Sequence, residues 1–151
     1  MEVLFIKFNF VDMLNQYLTN VYVLKNNLYN LHFNLKGEGS SSFHEELAND
    51  IIEINDFYDK LAELIKKIGG YPIMNLEEIK NISTIKEISS KDYTPKEAMS
   101  LLLNDLAVIN SMNNQVGEYA IKNYDLKSIN LVLDFNKYLG KRIWLIQINK
   151  A

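Results

Sequence analysis

Residues 42–72 read SFHEELANDIIEINDFYDKLAELIKKIGGYP, and their periodicity decides the fold. Leu47, Ile51, Ile54, Tyr58, Leu61, Ile65 and Ile68 recur every three or four residues, a spacing that only an α-helix gathers onto one face. Ser42 followed by Glu45 has the spacing of a capping box, in which hydroxyl and carboxylate each satisfy an orphan backbone N–H. The helix is therefore predicted to start there, with His44 at its second position. Lys66 and Lys67 complement the negative end of the helix dipole, and Gly69-Gly70 stops the helix before Pro72.

Upstream, leucine or valine at 14, 21, 28 and 35, with Leu18, Leu24 and Leu31 between them, predicts a helix over about residues 11–35, ended by Gly37, Gly39 and Ser40 to Ser42. Downstream, residues 73–92 form a long connection in which Leu76-Glu77-Glu78-Ile79 predicts a short helix. Thr94-Pro95-Lys96-Glu97 then supplies an N-cap threonine, a proline at the first helical position and a glutamate at the third. The helix it starts carries Met99, Leu102, Leu106, Ile109 and Val116 to about Lys122. Asp125 is predicted to cap a last helix bearing Ile129, Val132, Leu139, Ile143 and Ile146. Four long helices with one long link, between the second and third, predict an all-α four-helix bundle whose middle connection crosses over.

The 151 residues make one domain's length, 1–151, with no internal repeat. A net charge of −3 gives the chain as a whole no attraction for polyanions. Cysteine is absent, which excludes disulfides and thiolate metal sites and is compatible with a reducing compartment. Apolar runs such as Leu101-Leu102-Leu103 fall far short of the roughly 20 residues of a spanning helix. The opening Met1-Glu2-Val3-Leu4-Phe5-Ile6-Lys7 lacks the basic stretch and cleavage site of a signal peptide, so a cytoplasmic location is expected.

Chemistry rests on few residues. His32 and His44 are the two histidines, and Asp59 and Glu63, four apart, project from one face of the second helix. Taken singly, a histidine near a helix end or an Asp-x-x-x-Glu pair is ordinary surface. Together, imidazole and carboxylate suit iron and other first-row metals. His44 and Asp59 lie about 22 Å apart along one helix axis with an angular offset of only about 60°, so one helix cannot bring them to one ion. Two copies packed antiparallel about a two-fold axis could, giving two identical sites with histidines from one subunit and carboxylates from its mate.

The stretch Leu31-His32-Phe33-Asn34-Leu35-Lys36-Gly37 resembles the His-Trp-Asn-x-x-Gly signature of the DNA-protecting mini-ferritins, the Dps family. His44-Glu45 follows at that family's spacing, and Asp59-Lys60-Leu61-Ala62-Glu63 is similar to its Asp-x-x-Ala-Glu element. Gly69-Gly70-Tyr71-Pro72 and Arg142-Ile143-Trp144 fall where the family has similar residues. The resemblance covers essentially the whole chain. It implies a ferritin-like bundle assembled into a twelve-subunit hollow shell, which oxidises Fe(II), preferentially with hydrogen peroxide, and stores ferric mineral. The implied metal and catalytic residues are His32, His44, Asp59 and Glu63, at two-fold interfaces.

Several positions depart from the family pattern. An aspartate ligand expected one turn after the second histidine is Ala48 here, which removes an oxygen ligand and a negative charge. Phe33 stands in place of the family's tryptophan. Two positions that line acidic three-fold pores in the family hold Lys127 and Asn130, with Asp125 and Asp134 nearby. The first nine residues contain one lysine, Lys7, so direct DNA binding through a basic tail is not expected. Three functions compete: a peroxide-using ferroxidase and iron store, a ferritin-like shell with impaired oxidation serving as a passive store or structural assembly, and a helical interaction module without metal.

Overall fold

Five helices carry the chain in the computed structural model, which describes residues 2–150 and side chains from residue 9 onward: α1 (Glu2–Phe33), α2 (Ser40–Lys67), α3 (Leu76–Ile82), α4 (Pro95–Lys122) and α5 (Leu126–Lys150). The reading of residues 1–7 as an apolar opening without the features of a signal peptide lies outside the described side chains. Helix α1 packs on α2 and α4, and α5 on α4 and α2, so two antiparallel hairpins face one another as a four-helix bundle. Among the described residues no helix is long and apolar enough to cross a membrane.

The predicted stripes form the core. Leu14, Leu18, Val21, Leu24, Leu28 and Leu31 of α1 meet Leu47, Ile54, Leu61 and Ile65 of α2, all essentially inaccessible. From the other hairpin, Leu102, Leu106, Ile109, Leu139 and Ile146 close against them. Tyr58, Ile68, Met99 and Ile143 are only partly buried and pack on the margin of this core.

Three helix boundaries differ from expectation. Helix α1 begins well before residue 11, where Phe10 is already buried and stacked on Tyr119 at 4.2 Å. It ends at Phe33, because Leu35 leaves the helix to form a short parallel bridge with Tyr93. Lys36 N–H donates to the Tyr93 carbonyl at 2.8 Å and Tyr93 N–H to the Asn34 carbonyl at 2.9 Å. Helix α2 starts at Ser40 with Gly39 as its N-cap and no side-chain cap. The expected Ser42–Glu45 capping box is therefore wrong, and His44 sits in the second turn rather than at the second position. Gly39 has φ +83°, a left-handed conformation that glycine adopts without penalty, and it turns the chain into the helix three residues earlier.

Other punctuation matches the sequence. The Thr94 hydroxyl accepts from Glu97 N–H at 3.2 Å, with Pro95 at the first position. Asp125 accepts from Ser128 N–H and from its hydroxyl at 2.6 Å, capping α5. The short helix in the connection is capped by Asn75, whose side chain accepts from Glu77 and Glu78 N–H.

The connection from α2 to α4 is held by four asparagines of α1. Asn15 pairs with the Tyr71 carbonyl and Ile73 N–H at 3.0 and 2.9 Å. Asn20, fully buried, accepts from Thr84 and Ile85 N–H at 2.9 and 2.8 Å. Asn27 bridges the Lys86 carbonyl and Ile88 N–H and also donates to Asp105 of α4 at 3.0 Å. Asn30 donates to the Ile88 and Ser89 carbonyls. The connection thus runs alongside α1 in its direction and delivers Pro95 to within 4.0 Å of the position a Gly39 side chain would occupy, so α2 and α4 start at the same end.

Gly70 closes α2 where no side chain fits: a Cβ would lie 2.7 Å from Val11 and 3.1 Å from Ile65. Gly70→Ala is expected to destabilise the fold by about 1–3 kcal/mol through this overpacking, seen as a lowered thermal midpoint. Asp105 offers a pH test. Burial raises its pKa to about 6, against the opposing hydrogen bond from Asn27. A carboxyl whose pKa is raised in the folded state favours folding when protonated, so its contribution is full below pH 4 and lost as pH rises towards 6. Asp105→Asn should accordingly gain stability relative to the parent across pH 4 to 6, by on the order of 2 kcal/mol, and hold that gain above. Chemical denaturation at a series of pH values measures it.

Candidate metal centre

The turn formed by Gly37 and Gly39 folds the end of α1 back onto the start of α2 and brings the two histidines together. Their rings stack with centroids 3.7 Å apart and planes 16° from parallel. Each imidazole holds the other's main chain: His44 Nδ1 lies 2.7 Å from the His32 carbonyl oxygen, and His32 Nδ1 lies 3.1 Å from the His44 carbonyl oxygen. A carbonyl oxygen can only accept, so Nδ1 carries a proton in both rings, and in the neutral imidazoles each Nε2 then keeps a lone pair. That is the arrangement a metal-ligating histidine has when its remote nitrogen is fixed by a backbone carbonyl.

The carboxylates are elsewhere on the chain. Asp59 and Glu63 are exposed, one turn apart, far along α2. Among the described residues no three histidine, aspartate or glutamate side chains converge on a common point. Within one subunit the four residues therefore form two separate groups, nitrogens at one end of α2 and oxygens towards the other.

No acid near His44 replaces the missing ligand. Ala48 is half-buried one turn on, Glu45 is exposed, and Glu46 reaches across to Arg142 at 3.6 Å. Asp50 turns inward, where Arg142 Nε donates to its two oxygens at 2.8 and 2.9 Å and the Tyr138 hydroxyl donates at 2.6 Å. Burial pushes the Asp50 carboxyl up, opposed by the Arg142 guanidinium. Burial and the adjacent Asp50 push the Tyr138 hydroxyl up as well. This buried trio joins α2 to α5 and is not an open ligand. Arg142 is singled out in the sequence but Asp50 and Tyr138 are not, although an aspartate between Leu47 and Ile54 on the apolar face of a helix signals a buried partner.

The surroundings are aromatic. Phe33, 71% exposed, sits edge-on to His32 with centroids 5.2 Å apart, and Tyr29 packs on Phe33 while accepting a hydrogen bond from Asn55 at 3.4 Å. At the start of α5, Lys127 and Asn130 are exposed, Asp125 is engaged as the helix cap, and Asp134 lines a groove with Glu53, Asp56 and Lys60.

Comparison with known proteins places this geometry. The family model of the ferritin-like domain matches residues 11–149. Antigen TpF1 of Treponema pallidum is 24% identical over 135 residues, covering 89% of this chain and 76% of that protein. The DNA protection during starvation protein of Helicobacter pylori is 25% identical, covering 85% and 90%. Among solved structures, Dps of Staphylococcus aureus superposes with a TM-score of 0.87 at 27% identity, over 94% of this chain and 95% of that one. A Dps protein from Bacillus brevis gives 0.90 at 25%, over 97% of each. The chain belongs to the ferritin-like family, and within it resembles the Dps proteins.

Proposed function

We propose that this protein is a mini-ferritin, one domain over residues 1–151, that oxidises Fe(II), preferably with hydrogen peroxide, and stores ferric iron inside a hollow homo-oligomeric shell of twelve subunits in the cytoplasm. The observation that carries the reading is the reciprocal lock of the stacked His32 and His44 rings, which engages both Nδ1 atoms and leaves both Nε2 atoms for a ligand, with no carboxylate among the described residues clustered on them. Asp59 and Glu63 of a second subunit supply the oxygens, so the complete site exists only between antiparallel α2 helices. Two Fe(II) ions give up one electron each, and hydrogen peroxide takes both with two protons to form water, so no radical is released. His32, Asp59 and Glu63 hold the better-occupied position; His44 serves the second, directly or through water.

Ala48 favours a second reading of the same shell. Loss of one carboxylate leaves the second position poor in charge and bridging capacity, and if peroxide oxidation fails there the assembly is a passive metal store or a structural shell. Ala48→Asp separates the two. Restoring the acid should raise Fe(II) affinity and the peroxide-dependent oxidation rate by roughly 10-fold, and Glu63→Ala should depress both, as followed by anaerobic Fe(II) titration and stopped-flow absorbance. If both variants leave binding and oxidation unchanged, these residues are not the metal centre. DNA is not a direct partner in this reading, because the net charge is −3 and counterion release offers little affinity.

Sharing between subunits has its own test. A His32→Ala, His44→Ala double variant and Glu63→Ala should each lose tight binding, whereas mixed, reassembled subunits should recover part of it. A heterodimer pairs the intact histidines of one chain with the intact carboxylates of the other in one of its two sites. Co-assembled variants that stay as weak as either parent would exclude a shared site.

A further inference from the structure

The partner of a tyrosine hydroxyl decides whether the ring can be oxidised cheaply, because a phenol that loses an electron must also lose its proton. Tyr17, Tyr58 and Tyr93 donate to the Asn113 amide oxygen, the Met74 sulfur and the Ser89 carbonyl, none of which is a base at neutral pH. Tyr138 differs: its hydroxyl donates at 2.6 Å to Asp50 Oδ1, a carboxylate. Burial pushes the Asp50 carboxyl up, towards the protonated form.

Protonating Asp50 would ordinarily strand the guanidinium it pairs with, since Arg142 is buried. Here a second carboxylate waits. Glu46 Oε2 lies 3.6 Å from Arg142 Nη2, and both atoms are buried without a hydrogen-bond partner. This slack pair keeps a countercharge beside the arginine when Asp50 becomes neutral, and it has room to tighten. The Tyr138 ring is half-buried at a groove between α2 and α5 that Glu53, Lys137 and Lys141 also line, so a small oxidant reaches it. On the inner side the ring stacks on Phe135 with centroids 5.5 Å apart, and Phe135 lies flat on Phe57 at 3.7 Å. Phenylalanine is far harder to oxidise than tyrosine, so an electron vacancy formed on Tyr138 stays there, walled off from a second tyrosyl ring.

We infer that Tyr138 is a redox-active tyrosine that quenches one-electron oxidants entering the α2–α5 groove, passing its phenolic proton to Asp50 as its electron leaves. The oxidant class is hydroxyl radical, which forms with hydroxide when hydrogen peroxide accepts one electron instead of two. Hydroxyl radical takes the electron and becomes hydroxide; the Tyr138 O–H bond breaks, its proton joins Asp50, and a neutral phenoxyl radical remains. A one-electron donor such as Fe(II) or a thiolate later returns the electron, and Asp50 returns the proton. This activity goes beyond iron oxidation and storage and does not depend on a metal site shared between subunits.

Laser flash-quench of the full-length protein, with a ruthenium trisbipyridine sensitiser and hexaammineruthenium(III) as quencher, supplies a one-electron oxidant without added iron. Tyrosyl radical is followed by transient absorbance and by freeze-quench electron paramagnetic resonance. Tyr71 and Tyr124, 78% and 88% exposed, should give radicals that couple or decay fast, whereas Tyr138 should give a separate, slowly decaying phase. Tyr138→Phe keeps the ring and its stacking and should lose that slow phase, while Tyr124→Phe should retain it. The slow phase should also form more slowly in heavy water, because the proton moves with the electron. A parent protein without the slow phase, or a Tyr138→Phe protein that keeps it, overturns the inference. Equal rates of formation in light and heavy water overturn Asp50 as the proton acceptor.

Discussion

A connection of more than twenty residues between α2 and α4 has to find partners for its backbone amides and carbonyls, and everything else in this fold depends on how it does so. It has one short helix and one bridge with which to satisfy itself. A peptide group buried without a partner is destabilising by about 1–3 kcal/mol, comparable to a large core truncation. The amide side chains of Asn15, Asn20, Asn27 and Asn30 provide both a donor and acceptors, and they stand along one rigid helix that spans the bundle. The connection is thereby laid along α1 and delivers α4 beside the first turn of α2. The bundle has its crossing topology because α1 is an amide rack as well as a core helix.

The same economy of acids shapes the candidate metal centre. Three carboxylates follow His44 within six residues, yet Asp50 is consumed by Arg142 and Tyr138, Glu46 turns towards the same guanidinium, and Glu45 stays in solvent. The buried pair is held by mutual need, since removing either charge leaves the other unpaired in the interior. Locally the histidines are therefore in a neighbourhood whose negative charge is spoken for, which is why the proposed site draws its oxygen ligands from another subunit.

Much of this was legible in the sequence, and the failures have a common physical cause. Helix stripes, the Thr94-Pro95 start, the Asp125 cap and the Gly69-Gly70 stop all depend on neighbours in sequence. The four candidate ligands could be picked out as residue types, with their inability to meet within one chain following from helix geometry alone. Ser42 and Glu45 misled because their spacing fits a capping box as well as it fits two exposed positions inside a helix, and nothing local reveals that Gly39 is left-handed. The asparagines of α1 and Asp50 went unnoticed because their partners lie far away, 56 residues on for Asn15 and 92 for Asp50. The histidine lock was also invisible: it exists only because the 34–39 turn places two carbonyl groups opposite two rings.

That lock has an entropic meaning. A free imidazole rotates about two side-chain bonds and exchanges its proton between two nitrogens, and a site built from such rings must freeze those motions as the ion arrives, at about 0.5–1.5 kcal/mol for each side chain. In this chain the stacking and the two carbonyl bonds freeze them during folding, before any cation is present. In the proposed shared site, the exposed carboxylates of Asp59 and Glu63 would keep their rotamers until capture. The two halves of the proposed centre would thus differ in kind, a stationary pair of nitrogens met by mobile oxygens. An incoming ion would then be received first by the flexible half and handed onto the rigid one.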